Sequence, residues 1–171
     1  MSRWFAAVPV VVLLALTVLF VGYALRHDPH VSPAALVGKP APGVAMQPLG
    51  GGGLRAAVLP GQGPVLVNFF GSWCAPCVEE APALMALKAQ GVPIIGVAYK
   101  DKTPNTQAYL NNYGNPYQAI LTDPTGRAGV EWGISGVPET FAVAASGKIV
   151  AKKALPLSPQ DAEQLTESLG R

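Results

Sequence analysis

Apolar and polar positions along this chain fall into three regimes. The first is unbroken: Phe5 to Leu25 carries no charged residue, and as an α-helix its 21 residues extend about 31 Å, matching the hydrocarbon core of a bilayer. This predicts a membrane anchor over residues 1–26. A cleavable signal peptide is the alternative, because Gly22-Tyr23-Ala24 has the small-x-small form of a cleavage site, but the run is longer than a usual signal core. The second regime, His27 to Pro42, has four prolines and no sustained period, and reads as a tether over 27–42. The third, 43–171, mixes short apolar runs with Gly and Pro punctuation in the manner of one globular domain.

Within that domain, Val44–Leu49 and Leu54–Leu59 flank the flexible turn Gly50–Gly53 and suit a short hairpin. Strands are predicted over Val65–Phe70 and Ile94–Tyr99, with a third near Ala119–Thr122. Helices are predicted from Cys74 to about Ala89 and near Thr106–Tyr113. Thr140–Ala144 and Ile149–Ala154, parted by Ser146-Gly147, form a second hairpin, and a last helix starts near Ser158 with Pro159 in its first turn. Strand-helix-strand followed by hairpin and helix predicts an α/β domain, a mixed sheet with helices on both faces.

Two cysteines are present in the whole sequence, Cys74 and Cys77, within Trp73-Cys74-Ala75-Pro76-Cys77, where the first long strand gives way to a helix. A structural disulfide across so short a loop removes little unfolded-state entropy, so the pair points to redox chemistry instead. The helix N-terminus stabilises a thiolate at Cys74, which is expected exposed and nucleophilic; Cys77, one turn inward, resolves the mixed disulfide. Pro76 has no N–H to offer the sulfur and stiffens the turn. Structural zinc needs four ligands, and the two histidines, His27 and His30, lie far upstream. Copper carriage is the alternative from another class, and would want a nearby His or Met. A thiol peroxidase would want Thr and Arg around its cysteine, and Cys74 lacks that setting. No metal or cofactor is called for.

The formal net charge of +2 is small and scattered, so nucleic acid is excluded as a partner. Arg3 precedes the apolar span, whereas Arg26 after it is offset by Asp28. That asymmetry orients a single-pass anchor with the domain outside, in a compartment where disulfides form.

This order of elements, with Trp-Cys-x-Pro-Cys after the first long strand, resembles the thioredoxin fold from about Ala41 onward. Pro82 falls where that superfamily has a kinking helix proline, and Val137-Pro138 where it has a cis-proline. The run Gly133-Ile134-Ser135-Gly136-Val137-Pro138-Glu139-Thr140-Phe141 is similar to the signature of the DsbE/CcmG family of cytochrome c biogenesis proteins. Asn68 to Cys74 and Glu80 agree with it; Phe70 and Ser135 depart from it, since Trp and an aromatic are common there.

The resemblance implies a thiol:disulfide oxidoreductase in the inner membrane facing the periplasm, reducing disulfides during cytochrome c maturation. A general thioredoxin-like reductase is the nearer alternative. A membrane thiol-reductase would donate electrons, and an apocytochrome c or a maturation thiol protein would accept them. A cis Pro138 would set the Val137 backbone beside Cys74 to pair with an extended substrate. Trp73 would cover the dithiol and offer contact surface. Asn68 stands where thioredoxin has a buried acid, which passes the proton-accepting duty to Glu80. Glu80 and Glu139, if both face the dithiol, raise its thiol pKa and make the protein more reducing.

Overall fold

The computed structural model describes residues 4–26, 36–57 and 63–170, with side chains from residue 8 to 22 in the first stretch. Two compact units separate at residue 31. The first contains helix α1 (Trp4–Arg26), whose described side chains are all exposed. Among the described residues, no helix is long and apolar enough to cross a membrane. The start of the tether, 27–35, lies outside the described residues; 36–42 are fastened to the second unit, where Gly38 N–H donates to Ile149 O and Ala41 N–H to Gly147 O.

The second unit is a six-stranded mixed sheet in the order β1-β4-β3-β2-β5-β6. Its strands are β1 (Gln47–Pro48), β2 (Val65–Phe70), β3 (Ile94–Tyr99), β4 (Ala119–Asp123), β5 (Glu139–Val143) and β6 (Ile149–Ala154). The helices are α2 (Ala75–Ala89), α3 (Thr103–Tyr113), α4 (Arg127–Glu131) and α5 (Pro159–Leu169). β2, β3 and β4 run parallel, and β5 and β6 close the sheet as an antiparallel hairpin. Every residue of β2 is buried, as a central strand covered on both faces requires.

Period-two alternation sorts that strand. Leu66 and Phe70 face α2, α3 and α5, packing with Leu84, Tyr109 and Leu165. Val65, Val67 and Phe69 face the other way onto Trp132, Phe141 and Ala128 of α4. Helices thus lie on both faces, as the order of elements predicts. One element escaped the sequence reading: α4 is too short for a helical period to register. β1 lies within the predicted strand Val44–Leu49 but is only two residues long and pairs with β4. The first predicted hairpin survives as one antiparallel bridge, Met46 to Arg55, while positions 58 and 59 lie outside the described residues.

Candidate functional site

The dithiol sits where β2 exits the sheet. Cys74 is the N-cap of α2 in extended conformation, and Cys77 N–H donates to its Sγ at 3.1 Å. Ala75 and Pro76 occupy the first helical positions, so the missing N–H of Pro76 falls among groups that have no intrahelical partner. The two sulfurs are joined in a disulfide. Cys77 is fully buried and Cys74 is 3% exposed. Cys74 is therefore the outer sulfur but not an openly exposed one, because the loop before β5 closes over it: Val137 O lies 3.5 Å from its Sγ. The Val137–Pro138 peptide bond is cis. Among the described residues the Val137 N–H has no acceptor, and Gly136 beside it is exposed.

Trp73 is 58% exposed, with its indole folded against Gly71, where an added Cβ would meet the ring at 2.9 Å. It offers a contact surface beside the sulfurs. The loop beneath it is tied down by Asp101, which sequence reasoning missed. Its carboxylate accepts from Ser72 N and Lys102 N, and from the hydroxyls of Ser72 and Thr106, all within 2.9 Å. An Asp at a strand end just before a helix was the available signal.

Glu80 faces the dithiol side of the sheet, one turn beyond Cys77, and is 1% exposed. Its Oε1 accepts from Asn68 Nδ2 at 2.9 Å and its Oε2 from Leu157 N at 3.2 Å. Asn68 also donates to Thr140 Oγ1, and its Oδ1 accepts from Tyr117 O–H at 2.8 Å. Burial pushes the Glu80 carboxyl up to about 7, outweighing the two N–H donors that hold it down. Burial, reinforced by the Glu80 charge, raises Tyr117 well above its ordinary value and Tyr109 to about 12, so both stay neutral donors. Tyr109 O–H donates to Cys77 O at 2.7 Å.

Glu139 does not join them. It opens β5 opposite Phe69, so alternation sends it to the Phe141 and Trp132 face while Thr140 takes the dithiol face. There its Oε2 pairs with Lys152 Nζ at 2.8 Å and its Oε1 accepts from Ser135 N–H and Ser135 O–H. The two acids expected to act together on the thiols are separated by the sheet, and only Glu80 shares their side.

A Cys-x-x-Cys disulfide capping a helix, beside a cis-proline loop on this sheet, defines a thiol:disulfide oxidoreductase of thioredoxin type. The chain belongs to the Redoxin family, whose model matches residues 36–169. It is 42% identical over 134 residues to the thiol:disulfide interchange protein HelX of Rhodobacter capsulatus, covering 78% of this chain and 76% of that one. It is 40% identical over 158 residues to the thiol:disulfide interchange protein DsbE of Allochromatium vinosum, covering 91% and 86%. The structure of MTB dsbF, at 24% identity and a TM-score of 0.65, covers 81% of this chain and 99% of that one and shares the fold. The chain is a DsbE-type protein-disulfide oxidoreductase of the thioredoxin superfamily.

Proposed function

We propose that this protein is a membrane-anchored reductant on the periplasmic side of the inner membrane, serving cytochrome c maturation. What carries this reading is the dithiol at the N-terminus of α2, with an unpaired backbone edge on one side and a proton acceptor poised near neutral pH on the other. The likeness to HelX and DsbE over most of the chain supports it. Anchoring rests on the sequence of the first segment, where Phe5 to Leu25 carries no charge and 21 residues would extend about 31 Å as a helix.

The reaction begins from the dithiol. The Cys74 thiolate attacks one sulfur of the partner's disulfide; a Cys74–partner bond forms and the partner's other sulfur leaves as a thiolate. Glu80 takes the proton of Cys77, whose thiolate attacks Cys74 Sγ. The Cys74–Cys77 bond forms and the second partner sulfur departs reduced, so two electrons have passed outward. The bridged state described here is the spent one. A membrane thiol-reductase restores the dithiol by the reverse exchange. The partner is a Cys-x-x-Cys-His haem site of an apocytochrome, or a carrier that reduces it, because haem attaches only to reduced thiols.

Trapping tests the reading. Full-length Cys77→Ser, expressed in a cytochrome-c-producing bacterium, should accumulate mixed disulfides on non-reducing gels, and mass spectrometry should find an apocytochrome or its thiol carrier in them. Adducts holding only unrelated secreted proteins would make the protein a general reductase instead.

A further inference from the structure

We infer that Lys152 is a positioning residue for the substrate-pairing loop, acting through Glu139 and Gly133 from the far face of the sheet. The inference rests on the oxidoreductase reading and concerns the same site. Lys152 lies on β6 opposite Phe141, and Glu139 lies on β5 opposite Ala154, which makes the two side chains diagonal neighbours on one face. Both are buried, with side chains 6% and 2% exposed. A buried lysine needs partners for its charge and its protons. Lys152 finds the Glu139 carboxylate at 2.8 Å, Gly133 O at 3.1 Å, and the ring of Phe141 at 5.3 Å.

The partners share one property: they bracket the loop that reaches the dithiol. Gly133 begins it, bonded to Lys152. Ser135 in its middle gives both its N–H and its O–H to the carboxylate that Lys152 neutralises. Two residues on, Val137 O stands 3.5 Å from Cys74 Sγ, with the Val137 N–H unpaired among the described residues. The loop is thus fixed at Gly133 and at Ser135, and its free end is the backbone edge that an extended substrate would join. The Ser135 hydroxyl adds a second donor to the Glu139 carboxylate beside its own N–H.

The consequence separates two kinds of substrate. A partner that pairs with Val137 depends on where the loop stands, whereas a small disulfide needs only the sulfur. The measurement uses full-length protein in detergent with two probes, an oxidised Cys-Ala-Ala-Cys-His peptide and hydroxyethyl disulfide. For Lys152→Met, KM for the peptide should rise about tenfold, with kcat and the rate toward hydroxyethyl disulfide within about twofold of wild type. Lys152→Arg, which keeps charge and donors, should restore KM.

Lys152→Met leaves Glu139 buried without its cation, so a second variant guards against misfolding. Lys152→Met with Glu139→Gln removes both charges and leaves the Gly133 carbonyl untied; its stability should recover while KM stays high. Amide hydrogen exchange over residues 133–137 should quicken in both variants. Wild-type KM in the double variant, unchanged exchange in the loop, or a parallel fall in rate toward both probes would each overturn the inference. A wild-type protein inactive on both probes would instead refute the functional reading, and the loop exchange would still decide the clamp.

Discussion

Glu80→Gln tests the central claim about the site, that a buried carboxyl beside Cys77 holds its proton until near neutral pH. In the folded protein its pKa is about 7, against an ordinary value of 4.5 in the unfolded chain. Between those values the native state binds a proton that the unfolded state does not, so stability falls as pH rises through the window. Below about 4.5 both states are protonated and Glu80 contributes nothing; above about 7 the full cost is present. That interval, at about 1.4 kcal/mol per pH unit, corresponds to a loss of about 3 kcal/mol.

Glutamine does not titrate, so the loss should vanish in the variant. Its amide can still accept from Asn68, but it turns a donor toward Leu157 N–H, at a cost of about 1–3 kcal/mol at every pH. Urea unfolding of the oxidised protein should therefore find Glu80→Gln less stable than wild type at pH 4.5, and equal or more stable at pH 8. Other titrating groups cancel in the difference. The same variant should resolve mixed disulfides about 100-fold more slowly at pH 7, having lost the base for Cys77. A stability difference equal at pH 4.5 and pH 8 would mean that the carboxyl is already ionised in the native state, and the proton-transfer role would go with it.

Four further outcomes follow from the same geometry. Cys74→Ser should trap no partner where Cys77→Ser does, and equal trapping on non-reducing gels would reverse the roles of the two sulfurs. Asp101→Ala strands three donors at the base of the dithiol loop, the Thr106 hydroxyl keeping Lys102 O, and should lower stability by about 3 kcal/mol in urea, with faster exchange at Ser72; a change below about 0.5 kcal/mol would show the loop held by other means. Gly71→Ala pushes the Trp73 indole off the backbone at small cost in stability, and should alter the tryptophan fluorescence change on reduction, which would stay as in wild type if the ring did not rest there. A periplasm-active reporter fused after Arg171 should be active and sediment with membranes, whereas a soluble product beginning near residue 25 would make the first segment a signal peptide.

How much of this was legible in the sequence depended on whether the signal was local. β2 announced itself as an apolar run, and Cys74 announced the start of α2, because a dithiol, a proline and a helical stretch adjoin within a few residues. The cover over Cys74 was not legible from spacing, since Val137 arrives from 63 residues away. Glu139 shows how little it takes to misplace a residue. The predicted strand began at Thr140, leaving Glu139 in a loop free to face the sulfurs; the actual strand begins one residue earlier, and that single step commits Glu139 to the opposite face. Lys152 carried no signal of its own in the sequence, because its partner Glu139 stood on no predicted strand. Once register is known, the two acids of the motif take different tasks. Glu80 lies on the sulfur side, where burial shifts its proton affinity into the range of thiol chemistry. Glu139, neutralised by Lys152 on the other side, has no charge to lend the thiols and instead fixes the backbone that meets the substrate. Substitutions at the two positions should therefore differ in kind, with pH dependence changing at Glu80 and KM at Glu139.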